Sequence, residues 1–125
     1  MKILLIAGHG AGDSGAVSTI NGKTYKEADL TREMVKLLAP KLKEYGATVT
    51  TYPTSHDAYA DYKSGTLAKT ANFSAYDYIL EIHFNAGASD KSGNGKTTGV
   101  ECLWGSRGKE TGVELPMTSR IAKLG

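Results

Sequence analysis

Hydrophobic and polar residues alternate in blocks along this chain, and the blocks change period. Residues 2–7 (KILLIA) form a short, nearly continuous apolar run, the pattern of a strand buried on both faces. Residues 8–26 are rich in Gly, Ser, Asn and Thr, carry an Asn21-Gly22 turn signal and read as a loop. From Glu27 to Tyr45 the period becomes helical, with Leu30, Met34, Leu38 and Leu42 as the apolar stripe and Gly46 as the stop. Pro40 lies inside that helix. It removes one backbone donor and crowds the preceding turn, which predicts a kink or a restart there.

Ala47–Tyr52 reads as a second strand, 53–64 as irregular chain, and Thr66–Phe73 as a short helix. Asp77–Phe84 is a strongly apolar third strand. A polar loop follows over 85–98, then a fourth strand over Gly99–Trp104 and a helix over Lys109–Leu124 that contains Pro116. Strands alternating with helices predict an α/β fold, a twisted, mostly parallel sheet flanked by helices. At 125 residues the chain suits one domain, 1–125.

Composition narrows the function classes. Hydrophobic residues make up 40% and charged residues 22%, as in ordinary globular domains. A net charge of +2, with no Lys/Arg cluster interleaved with aromatics, argues against nucleic acid. No segment is long and apolar enough for membrane insertion, and the N-terminal run is too short for a signal peptide, so synthesis in the cytoplasm is expected. Cys102, the single cysteine, sits in an apolar pattern and reads as a small core residue.

Three residues carry candidate chemistry. His9 follows the first strand, at the edge where open α/β sheets bind ligands. Glu27 opens the first helix in phase with its apolar stripe, and a carboxylate there needs a partner. His83 lies near the end of the third strand. Two imidazoles and one carboxylate, with a fourth position left for water, form the donor set of a catalytic zinc site. Each residue also has an ordinary reading: a loop histidine, a helix-dipole acid and a core histidine. Only their joint placement separates the two. Gly10-Ala11-Gly12-Asp13-Ser14-Gly15 also satisfies the G-x-G-x-x-G dinucleotide fingerprint, but the residues after it show no helical period.

The chain resembles the zinc-dependent N-acetylmuramoyl-L-alanine amidases of phage endolysins and bacterial autolysins. The matching pieces are Gly8-His9-Gly10 with Asp13-Ser14-Gly15-Ala16, Glu27, Ile82-His83-Phe84-Asn85-Ala86, and Gly99-Val100-Glu101. The resemblance implies one zinc ion on His9, Glu27 and His83. It also implies hydrolysis of the amide between N-acetylmuramic acid and L-alanine in peptidoglycan.

Such enzymes carry a later strand with a glutamate that serves as general base or acid. No residue up to Gly125 matches it, so by the resemblance the C-terminal part of the fold is missing and the catalytic acid or base is unassigned. Glu81 is expected to orient a histidine, and Glu101 to belong to the Gly-Val-Glu piece. A sheet lacking its last strand is expected to be less stable, or to self-associate through its exposed edge. The alternative reading is a non-catalytic zinc- or wall-binding fragment. A nucleotide-binding domain using the glycine loop is a distant third.

Overall fold

The structure, a computed structural model, describes residues 1–85, 101–103 and 112–123. Met1–Ala86 and Gly87–Gly125 are two compact units.

In the first unit, β1 (Lys2–Ala7) is the central strand of a parallel sheet. It pairs on one side with β4 (Thr48–Thr51) and on the other with β5 (Tyr78–Ile82), in the order β4-β1-β5. Its side chains alternate between two cores. Ile3, Leu5 and Ala7 pack with Val35, Leu38 and Leu42 of α1 (Glu27–Glu44). Leu4 and Ile6 face the other way, against Tyr52 and Ala58, with Leu67 and Phe73 packed around them. Residues 3–7 are all buried, as the unbroken apolar run predicts.

Helix α1 forms where its period places it, but its buried face is rotated from the predicted stripe. The buried positions are Glu27, Ala28, Thr31 and Val35, while Leu30 is half-buried and Met34 is 40% exposed. Small residues at 28 and 31 let the helix start lie close to the sheet; Leu30 and Met34 turn aside there, while Leu38 and Leu42 of the predicted stripe pack against β1. The helix runs through the exposed Pro40 without restarting.

Two segments expected to be irregular are ordered. Within 8–26, β2 (Val17–Ile20) and β3 (Lys23–Lys26) form an antiparallel hairpin, closed by Asn21 (φ 50°) and Gly22 (φ 77°). Positive φ at both central residues is what Asn-Gly supplies to a tight hairpin turn. Almost all of the hairpin is exposed, so it lacks the apolar alternation that marks a half-buried strand. Within 53–64, α2 (Ala58–Ser64) starts at Asp57, whose Oδ1 accepts from the Ala60 amide at 3.0 Å, and stops at left-handed Gly65. A short helix α3 (Leu67–Thr70) and a 3-10 turn (Phe73–Ala75) lead into β5.

In the second unit, α4 (Glu114–Ala122) lies within the predicted C-terminal helix. Pro116 sits in its first turn, where a missing N–H costs no helix bond. Glu101–Leu103, the described part of the predicted fourth strand, is not a strand, and Cys102 is half-buried rather than a core residue. The predicted polar loop lies, apart from Asn85, outside the described residues.

Candidate metal centre

The C-terminal ends of β1 and β5 lie side by side, and the Gly8 amide extends their pairing by donating to Ile82 O at 2.9 Å. His9 and His83 leave the sheet at this shared edge. The start of α1 is brought to the same place by the loop before the hairpin. The Glu27 and Ala28 amides, which have no partner inside the helix, donate to Ala16 O (2.8 Å) and Ser14 O (3.1 Å). The expected convergence of two strand ends and a helix start is present.

His9 Nε2 lies 3.1 Å from Glu27 Oε2, and His83 Nδ1 lies 3.1 Å from Glu27 Oε1. The two rings are edge to face, 4.9 Å apart. One ligand atom from each of the three residues lies within 4.8 Å of the others. Glu27 is 7% exposed, and its carboxylate also accepts from the amides of Ala16 (3.0 Å) and Phe84 (2.8 Å). Burial alone would raise its pKa. The two amides, the His83 ring and the His9 charge outweigh that and hold it below the usual glutamate value.

Each histidine is gripped on its far side as well. Asp13 Oδ2 lies 2.9 Å from His9 Nδ1, and Glu81 Oε1 lies 3.2 Å from His83 Nε2. Both nitrogens of both rings therefore face carboxylate oxygens, which only accept, while a neutral imidazole has one N–H to give. With those protons held by Asp13 and Glu81, two lone pairs point at the Glu27 carboxylate. That arrangement needs either extra protons or a cation. The same conflict acts on His9: burial lowers its pKa, and the Asp13 hydrogen bond with the Glu27, Asp13 and Asp57 charges more than reverses this, so it is raised.

Three supports escaped the sequence reading. Arg32 donates to five backbone carbonyls, those of Gly8, His9, Ala28, Thr54 and His56, and so ties the His9 turn to α1. Thr31, fully buried, donates to Gly8 O at 2.8 Å. Asp13 appeared in the glycine-rich motif and in the Asp13-Ser14-Gly15-Ala16 piece with no role given to it, yet it orients a candidate ligand. Glu81 has the orienting place expected of it. A second group, His9, Asp13 and Asp57, lies close enough to share an ion and uses His9 in common.

Two glycines make room for the rings. A Cβ on Gly8 would run into the His83 ring, and one on Gly15 would lie 2.5 Å from His9 Cδ2 and 2.8 Å from Glu27 Oε2. This disposes of the dinucleotide reading of Gly10 to Gly15. No helix starts in that run to hold a pyrophosphate; it is followed by a hairpin, and Gly15 N donates to Asp13 Oδ1. Beside the three donors lies a cleft of about 500 Å³, lined by His9, His83, Asp13 and Glu81 and, toward α2 and α3, by aromatic and aliphatic side chains.

A sequence profile of the N-acetylmuramoyl-L-alanine amidases matches residues 3–123. This chain belongs to that amidase family. The family acts on amide bonds of peptidoglycan, so the triad and its cleft lie in a chain built for cell-wall hydrolysis. No curated protein and no solved structure matches the chain. Among the described residues, no helix of this amidase-family chain is long and apolar enough to cross a membrane.

Proposed function

We propose that the chain is a zinc-dependent N-acetylmuramoyl-L-alanine amidase, with one zinc ion held by His9, Glu27 and His83. The observation that carries this is the pair of histidine nitrogens aimed at a buried carboxylate, a two-imidazole, one-carboxylate donor set that would suit a catalytic divalent cation. Zinc in such a site lowers the pKa of water from about 16 to about 7 and polarises a carbonyl.

The chain's own residues do the rest. Asp13 and Glu81 set the tautomers and orientation of the two rings. The Ala16 and Phe84 amides keep Glu27 charged and fixed. Gly8 and Gly15 leave the space in which the donors meet. The family match across 3–123 supports reading 1–125 as one catalytic domain. We place its synthesis in the cytoplasm and its action at the bacterial wall, as the catalytic module of a phage lysin.

About one zinc per chain is expected in the purified protein, falling to none in His9→Ala or Glu27→Ala. Gram-positive walls should release new N-terminal alanine, and a chelator should stop it. A fully folded chain without metal, or release that ignores chelators, would overturn the zinc reading. Zinc and wall binding with no alanine released would instead make the chain a binding module.

Self-association belongs to the same proposal. Among the described residues no strand pairs with the outer side of β4, and such an edge can template another chain. Sedimentation should then show dimers that Thr51→Pro abolishes, since the Thr48 and Tyr52 amides donate to β1 and the alternate Thr51 amide faces outward; a monomer at all concentrations refutes this.

A further inference from the structure

Helix α2 has seven residues and buries only Ala58. It nevertheless carries two aromatic rings, Tyr59 and Tyr62, three residues apart and so on neighbouring turns of one face. They are 66% and 67% exposed, and both line the cleft that His9 and His83 also line. Nothing in the packing of α2 asks for two large rings left largely in water. Lys63 Nζ lies 5.7 Å from the Tyr59 centroid and so occupies one face of that ring only.

The charges of the cleft point to what the rings receive. Asp13, Asp57 and Glu81 bring their carboxyl groups to it, and among the described residues no Lys or Arg lines it. The proposed substrate has two chemically different halves. On one side of the scissile amide is a neutral, N-acetylated pyranose, whose ring presents C–H faces. On the other is a stem peptide bearing free carboxylates. Three carboxylates disfavour the peptide half, whereas an aromatic face with apolar neighbours suits a sugar ring. The volume of about 500 Å³ falls within the range of small-ligand sites.

We propose that this cleft binds the glycan half of the substrate, with a pyranose stacked on Tyr59 and Tyr62, and that the peptide half lies away from it. The proposal rests on the amidase reading above. It makes Tyr59 and Tyr62 specificity-determining residues.

The test titrates the full chain with two probes. One is a peptide-free disaccharide of N-acetylglucosamine and N-acetylmuramic acid, its lactyl group capped as a methylamide. The other is the free stem tetrapeptide. Wild type should bind the disaccharide, and Tyr59→Ala/Tyr62→Ala should weaken it about tenfold, with each single variant between and tetrapeptide binding unmoved. On a soluble disaccharide-peptide the loss should concentrate in KM, as expected when binding common to ground and transition states is removed. Both tyrosines are exposed, so thermal melting of the variants should match wild type.

Absence of disaccharide binding by wild type would overturn the proposal. So would unchanged binding in the double variant, or a loss confined to the tetrapeptide. The two readings fail separately. Alanine release by wild type with an unchanged KM in the double variant sinks the glycan site alone. Tyrosine-dependent disaccharide binding without alanine release sinks the amidase reading alone.

Discussion

His9 takes a left-handed backbone conformation (φ 62°), which costs a non-glycine residue about 1–3 kcal/mol unless its surroundings enforce it. Arg32 supplies that enforcement by holding the carbonyls of Gly8 and His9 together with those of α1 and of residues 54 and 56. A lysine keeps the charge but not the planar fork. Arg32→Lys should therefore weaken zinc affinity about 10- to 100-fold, measured by competition with a chromophoric chelator. Unchanged affinity would show that the His9 turn holds without the guanidinium. Gly15 is the complementary case, a residue needed for what it lacks. Its φ of 61° and the Cβ contacts with His9 and Glu27 predict that Gly15→Ala loses both zinc and alanine release. Zinc bound at wild-type affinity would mean that the loop can yield.

Elements differ in how strongly their own residues specify them. Strand β1 is buried on both faces, so any truncation in it leaves a hole that helices on two sides cannot both close. Leu5, fully buried, should cost about 2–5 kcal/mol as Leu5→Ala, read from chemical denaturation. Leu37, 61% exposed on α1, should cost no more than about 0.5 kcal/mol by the same measurement. Equal losses would mean that the sheet and helix faces have been assigned wrongly. The hairpin β2-β3 is the opposite extreme. It buries no residue, and its pairing follows from the Asn-Gly turn and the Thr19–Thr24 hydroxyl contact at 3.2 Å.

Across the first unit as a whole, one carboxylate ties together the elements that build the second apolar core. Asp61 of α2 accepts from Tyr52 at the end of β4 (2.5 Å), meets His56 Nδ1 (2.8 Å), and accepts from Thr66 and Thr70 on the α3 side. The Tyr52 and His56 hydrogen bonds hold its pKa at about 2, against an ordinary 3.8. The folded state therefore binds this proton later than the unfolded chain does. The stabilisation is complete above pH 3.8 and is lost as pH falls from there to about 2. Acid titration followed by circular dichroism should show Asp61→Asn removing that part of the pH dependence while remaining less stable at neutral pH. An identical acid transition in the variant would show that the network contributes nothing.

Strands β1, β4 and β5 and the extent of α1 were legible in the sequence, because each rests on a local pattern, an apolar run or a 3.6-residue period. His9, Glu27 and His83 were legible only jointly, as two strand ends and a helix start. The strand expected over Gly99–Trp104 is absent from its described part. The hairpin and α2 were harder to read, since neither buries enough to impose a period. Asp57 and Gly65 around α2, like Asn21-Gly22 in the hairpin, were the available signals. Tertiary structure alone decided which face of α1 meets the sheet, because that depends on how closely Ala28 and Thr31 let the helix approach β1. It alone decided that Asp13, Arg32 and Gly15 serve the site, since hydrogen bonds and clearances between segments leave no periodicity in a sequence.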